Sequence, residues 1–235
     1  MNEEQLFCSA IIVAGGKGTR MGLPQNKVFY ELGKIPLLAR TLLAFESCPL
    51  IQEIILVGRE EEWPLCREIV NCFSITKLIA LVPGGTERQH SVYNGLRAVS
   101  QKSNMVAIHD AARPFVTQAA LQSVIEAATF HQAAALGVRC KDTVKLCDGN
   151  QTIEETLPRH NLWLVQTPQV FEKNLLLQAY DNIGDAVVTD DCSVVEQFGI
   201  YPLIVEGDYS NIKITTKEDL LFGEWLLQNA DGWQE

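Results

Sequence analysis

The sequence predicts an α/β protein: a mostly parallel sheet flanked by helices, of Rossmann-like type, with a β-arm protruding from it. Three observations predict this. Short apolar runs alternate with helical patterns from the start of the chain, the rhythm of strand–helix–strand units. Those runs are continuous rather than alternating in polarity, as in strands buried on both faces. After Val138 the rhythm breaks into alternating polarity around Asp148-Gly149-Asn150, a tight-turn signal.

Cys8 to Ala14 reads as the first buried strand, and Ile54–Val57, Leu78–Val82, Met105–Ile108 and Ala133–Val138 read the same way. Between them lie helix patterns over Leu37–Ser47, Glu60–Val70, Glu87–Ser100 and Gln118–Phe130. Within the third, Val92, Leu96 and Val99 recur at i, i+4 and i+7, which puts them on one face. Asp142–Leu146 and the run from Thr152 to Leu157 form a hairpin that a compact α/β core does not require. It is expected to stand off the core as an arm, over residues 139–171, and its apolar residues call for a partner subunit. A helix opened by Thr189, a strand over Tyr201–Val205, an extended Ile212–Ile214 and a last helix capped by Thr215 with Glu218 complete the chain. No internal repeat or linker interrupts residues 1–235, which predicts one domain plus the arm.

Composition narrows the function. Nineteen basic and 29 acidic side chains give a net charge of −10, which repels a nucleic-acid backbone at long range. A small polyanion remains compatible, because folding can gather a few cations into one pocket. No apolar run approaches the ~20 residues of a membrane helix, and Glu3 and Glu4 stand where a secretory signal would be basic. The seven cysteines are scattered and never spaced C-x-x-C, against a zinc site or a disulfide framework. The expectation is a soluble, cytoplasmic protein that binds neither nucleic acid nor membrane.

Chemistry is expected at the carboxyl ends of the strands. Directly after the first strand comes Ala14-Gly15-Gly16-Lys17-Gly18-Thr19-Arg20-Met21-Gly22, whose glycines let backbone N–H groups approach a phosphate. It is neither a P-loop, since Ile11 stands where the first glycine belongs, nor a dinucleotide loop, since Met21 stands at the last glycine. Arg20 and Lys27 follow it. Gly84-Gly85 leads into a helix carrying Arg88 and Ser91 on one face; taken alone, that segment reads as an ordinary helix start. His109-Asp110-Ala111-Ala112-Arg113-Pro114 leaves the fourth strand, where Asp110 could hold a ribose hydroxyl, a metal ion or simply Arg113, and His109 is expected to pack. Lys213, between Ile212 and Ile214, is either a surface cation or one aimed into the cleft.

In this order the motifs, with Asp142-Thr143, Arg159, Leu162-Trp163, Gln166-Thr167-Pro168-Gln169 and Asn211-Ile212-Lys213, resemble the 2-C-methyl-D-erythritol 4-phosphate cytidylyltransferases of the non-mevalonate isoprenoid pathway. The resemblance runs from Ala10 to the last helix. It implies a nucleotidyltransferase domain, and a homodimer whose β-arms interlock. It implies a loop containing Ala14, Gly15, Gly16 and Gly18 that wraps the triphosphate of CTP with Mg²⁺ or another divalent cation. Gly85, Arg88 and Ser91 would surround the cytosine, with Asp110 and Ala111 also at the nucleotide and Asp110 at the metal. Arg20, Lys27 and Lys213 would be the catalytic cations. Arg113, Thr143 and Arg159 would bind the polyol phosphate, the last two lent by one subunit to the other. Two departures stand out: Pro24 is separated from Lys27 by Gln25 and Asn26, and the stretch before Asp142 is one residue longer than usual.

Physics supports the same reading. A phosphate monoester attacking the α-phosphorus of a nucleoside triphosphate brings two anions together, so positioning and charge neutralisation supply most of the catalysis. Two other readings remain open at this stage. One is a ribitol-5-phosphate cytidylyltransferase, and the other is a non-catalytic regulatory module that binds nucleotide.

Overall fold

The computed structural model describes residues 6–16, 26–184, 186 and 188–229; Gly18 and Arg20 lie outside them. The first half of the chain builds β1 (Cys8–Val13), a small ladder of β2 (Glu31–Leu32) and β3 (Ile35–Pro36), α1 (Leu37–Glu46) and β4 (Ile51–Gly58). A short 3₁₀ turn at Glu60–Glu62 leads into α2 (Trp63–Cys72), followed by β5 (Leu78–Pro83), α3 (Arg88–Arg97), β6 (Met105–Asp110) and α4 (Gln118–His131). Then come β7 (Ala133–Arg139), β8 (Lys145–Cys147), β9 (Ile153–Thr156) and β10 (Trp163–Glu172). The chain ends with α5 (Lys173–Asn182), α6 (Asp191–Glu196), β11 (Leu203–Glu206) and α7 (Lys217–Gln228).

One seven-stranded sheet runs in the order β11-β7-β10-β6-β1-β4-β5, every pair parallel except the two that β10 makes. The predicted doubly covered sheet is therefore present. Successive side chains of a strand face opposite ways, and β1 divides accordingly. Ala10 and Ile12 pack with Leu38, Leu42 and Phe45 of α1 and with Leu121 and Val124 of α4. Ile11 packs on the other side, with Val92 and Leu96 of α3, Leu176 of α5 and Val194 of α6. The predicted face of α3 is the buried one. Gly95 makes its close approach possible, because a Cβ there would stand 2.7 Å from Ile11 Cγ2 and 2.8 Å from Val57 Cγ2. That contact brings the N-terminus of α3 to the sheet's carboxyl edge.

Three local expectations are corrected. The helix expected to open at Thr189 is capped by Asp190, whose side chain accepts from the Ser193 N–H; the last helix is capped by Thr216 with Asp219 rather than by Thr215 with Glu218. Adjacent hydroxyl and carboxyl groups compete as caps, and the sequence does not rank them. Ile212–Ile214 joins no ladder. The largest omission is β10, antiparallel between β6 and β7.

The hairpin of β8 and β9 pairs as its own two-stranded ladder, apart from the main sheet, with every strand residue exposed. Leu146 and Ile153 on it are 48 % and 59 % exposed.

Candidate active site

Register brings the carboxyl ends of four parallel strands level: Val13 pairs with Val57 and with Asp110, and Gly58 with Pro83. A cleft of about 850 Å³ opens there. Of the residues expected to act, Ala14, Gly15, Gly16, Lys27, Gly85, Arg88, Ser91, Asp110 and Lys213 all line it.

The glycine segment after β1 is held by the Ala14 N–H, which donates to the Val57 carbonyl at 2.7 Å. On the opposite wall, the Gly85 N–H donates to Ser91 Oγ at 3.0 Å, and Ser91 Oγ donates to the Glu87 carbonyl at 3.2 Å. Position 85 has no room for a side chain, since a Cβ would meet His90 Cβ at 2.2 Å. The turn is therefore locked onto the first residues of α3, with Arg88 directed inward.

Asp110 is the electrostatic centre. Its carboxylate meets Lys213 Nζ at 2.6 Å, Arg88 Nε at 3.4 Å and Arg113 Nε at 3.9 Å. Burial opposes its charge, but the Arg88 and Lys213 cations outweigh burial and hold the carboxyl well below the usual carboxylate range. Asp110 is thus an anion at neutral pH. Arg88 in turn bridges α3 to α6: its Nη2 donates to Asp191 Oδ2 at 2.8 Å, while Tyr180 Oη donates to Asp191 Oδ1 at 2.6 Å. Burial disfavours the Arg88 charge, and the Asp191 and Asp110 carboxylates overrule it, raising its pKa.

Lys213 reaches the cleft because its backbone is pinned on both sides. Asn211 Nδ2 donates to Gln166 Oε1 and to the Thr167 carbonyl, the Ile214 N–H donates to the Ala112 carbonyl, and Ile214 is fully buried. Arg113 also braces this stretch, its Nη1 donating to the Asn211 carbonyl at 2.7 Å.

His109 packs, as expected. It is buried against Phe45, and burial lowers its pKa to about 4. The neutral ring's hydrogen bonds assign Nε2–H to the Arg113 carbonyl and leave Nδ1 to accept from Thr167 Oγ1, which itself accepts from the Asp110 N–H.

Not every expected residue comes to the cleft. Ala111 is fully buried beneath it, its carbonyl accepting from Thr41 Oγ1, and Ala112 takes the lining position. Arg113 sits behind Asp110 rather than on the surface of the cleft. Thr143 is exposed, and Arg159, also exposed, donates from Nη1 to the Lys141 carbonyl; neither lines the cleft of its own chain. Conversely, Asn26, Arg59 and Asp191 take part in the site or its support with no role that the sequence reading assigns them, and Thr167, quoted only as part of a motif, supports Asp110. A polar residue beside a lysine or within a cap carries no local pattern that separates support from solvation.

A glycine-rich strand end, facing a carboxylate ringed by Lys213, Arg88 and Arg113 with Lys27 on the same cleft, suits a phosphorylated ligand with a polar head group. Comparison with known proteins makes this specific. The model of the family described as IspD, 2-C-methyl-D-erythritol 4-phosphate cytidylyltransferase, matches residues 8–229. The chain belongs to that family. A 2-C-methyl-D-erythritol 4-phosphate cytidylyltransferase of Clostridium botulinum is 45 % identical over 222 residues, covering 94 % of this chain and 97 % of that one. One from Clostridium beijerinckii is 47 % identical over 224 residues, covering 94 % and 98 %. The crystal structure of a 4-diphosphocytidyl-2C-methyl-D-erythritol synthase from Anaerococcus prevotii superimposes with a TM-score of 0.86 at 35 % identity, covering 95 % of this chain and 96 % of that one. Membership of the cytidylyltransferase family agrees with the motifs from which the resemblance was drawn.

Proposed function

We propose that this chain transfers a cytidylyl group from CTP to 2-C-methyl-D-erythritol 4-phosphate, giving 4-diphosphocytidyl-2-C-methyl-D-erythritol and pyrophosphate. The observation that carries it is the gathering of Lys27, Arg88, Asp110 and Lys213 around one glycine-lined cleft, in a chain matched nearly end to end by that family's model. The acceptor phosphate oxygen attacks the α-phosphorus in line, a bond to that oxygen forms, and the bond to the bridging oxygen of pyrophosphate breaks. No side-chain nucleophile is required. Arg20 and Lys27 stabilise charge on the α-phosphate and the departing pyrophosphate, and Lys213 acts from the opposite side. Gly85, Arg88 and Ser91 bound the base, and the N–H groups of Gly15, Gly16 and Gly18 receive the phosphates, beside Ala14, whose own N–H is held by the Val57 carbonyl.

A divalent cation bound with CTP belongs to this reading. Asp110 fits it: Mg²⁺ typically takes one or two carboxylates together with substrate phosphates, and Asp110 is the buried carboxylate lining the cleft. No cluster of three or more metal-ligating side chains occurs among the described residues, so phosphate oxygens and water would complete the shell. Bound there, the ion would neutralise phosphate charge.

The reading includes a homodimer. A two-stranded hairpin is marginal in water by itself, and the exposed Leu146 and Ile153 on it, with Leu164 on β10, leave apolar surface for a second copy to cover. Thr143 and Arg159 would then serve the partner's acceptor site. No helix among the described residues is long and apolar enough to cross a membrane, and all seven cysteines are free, which suits the reducing cytoplasm.

The defining test is pyrophosphate release on mixing the protein with CTP, Mg²⁺ and 2-C-methyl-D-erythritol 4-phosphate, with ribitol 5-phosphate in parallel. Turnover should favour the methylerythritol acceptor; the reverse preference would overturn the reading. Subunit exchange tests the arm. Arg159→Ala and Lys213→Ala proteins should each be nearly inactive, yet their mixture should recover about a quarter of wild-type activity, because a mixed C₂ dimer holds one intact site. An arm acting within its own chain would give no recovery.

A further inference from the structure

We infer that Asn26 is a positioning residue for Lys27, holding that lysine and the glycine segment in one rigid junction. Asn26 is 1 % exposed, and its side chain joins three separate parts of the chain. Its Nδ2 donates to the Ala14 carbonyl at 2.8 Å, immediately before Gly15 and Gly16. The same amide donates to Glu62 Oε2 at 3.0 Å, in the turn that follows β4. Its Oδ1 accepts from the Val28 N–H at 3.4 Å and caps the 3₁₀ turn that begins at Lys27. Both amide hydrogens and the carbonyl oxygen are therefore committed. An amide is the group that can do this, since the junction needs two donors and an acceptor on one short side chain.

Glu62 needs Asn26 in return. Glu62 as a residue is 7 % exposed, and a buried charge is tolerated only when paired. The Arg59 guanidinium takes Oε1, leaving Oε2 to the Asn26 amide. Lys27, Arg59 and Asn26 all line the cleft, so the junction forms its wall directly. Loss of the amide would free the Ala14 carbonyl, the Glu62 carboxylate and the start of the Lys27 turn together. A misplacement near 1 Å at a reacting centre costs about 10²-fold in rate.

The inference rests on Lys27 acting at the phosphates, as proposed above, and the test separates the two. Steady-state kinetics with CTP and 2-C-methyl-D-erythritol 4-phosphate are measured for Asn26→Asp, Asn26→Ala, Lys27→Ala and both doubles, with thermal melts. Asn26→Asp keeps the size and the acceptor but has no N–H to give. Each Asn26 variant should lose about 10²-fold in kcat with KM for CTP changed only a few-fold, and should cost much less in the Lys27→Ala background, where only the hold on the glycine segment is left to lose. Adding Glu62→Gln to Asn26→Asp should restore part of the rate, because the new amide can donate to the new carboxylate. A kcat within about 3-fold of wild type for a folded Asn26 variant, or the same loss with and without Lys27, overturns the inference while leaving Lys27 in its role. A near wild-type Lys27→Ala removes the role of Lys27 and the inference with it. If Asn26→Ala does not fold, Asn26→Asp with and without Glu62→Gln decides by the same criteria, and absence of rescue counts against the inference.

Discussion

Replacing Lys213 by alanine is expected to lower kcat about 10²–10³-fold while CTP still binds measurably, the size of effect seen when one preorganised transition-state donor is removed. Geometry motivates the choice. Lys213 Nζ stands 2.6 Å from Asp110 at the meeting point of β6 and the cleft, on backbone pinned by Asn211 and Ile214. A cation so placed can follow charge as it builds on the α-phosphate, and it needs no reorganisation to do so. The variant should fold normally, because the side chain is 37 % exposed and Asp110 retains Arg88 and Arg113. Single-turnover kinetics with saturating CTP, alongside calorimetric CTP binding, separate the rate from the affinity. A variant that keeps near wild-type kcat would remove Lys213 from the chemistry.

Replacing Asp191 by alanine should produce the largest loss of stability of any change at this site. Asp191 is fully buried, holds Arg88 at 2.8 Å and accepts from Tyr180 Oη at 2.6 Å. Breaking a buried ion pair by removing one partner costs about 3–5 kcal/mol. Arg88 is 28 % exposed and keeps Asp110, which places the cost near the lower figure. For a chain of this size about 3 kcal/mol lowers Tm by roughly 6–12 °C. The same change should raise KM for CTP more than KM for the acceptor, because Arg88 loses the contact that aims it. Tyr180→Phe provides the scale: it forfeits one hydrogen bond and should cost about 1 kcal/mol. A Tm for Asp191→Ala no lower than that of Tyr180→Phe would mean that Arg88 is held by something else.

Local pattern made the central strands legible. β1, β4, β6 and β7 are each an apolar run covered on both faces, and such a run announces itself; the edge strand β5 is equally apolar though only partly covered. β10 did not, because Gln166, Thr167 and Gln169 interrupt its apolar pattern. These polar side chains are nonetheless buried, and every one has distant partners. Gln166 Nε2 donates to the Asp208 carbonyl, Thr167 Oγ1 contacts the Asp110 N–H and His109, and Gln169 bonds to Asp190 and to the backbone of α6. A strand that supports a site breaks the pattern of a strand that only packs.

The candidate site divides the same way. The sequence by itself determined the alternation of strands and helices, the strand-end placement of the glycine segment and Asp110, and the ordered motifs that carry the family resemblance. All of these are written in neighbouring residues, through periodicity, chain stiffness and the small size of glycine. Whether Lys213 faced solvent or the cleft, what held Arg88, and that Asn26 joined three segments were decided only by the tertiary structure. A hydrogen bond or ion pair between residues 36 or 103 positions apart, such as Asn26–Glu62 or Arg88–Asp191, leaves no period in the chain. Its energy depends on a distance and a burial that exist only after the sheet has closed.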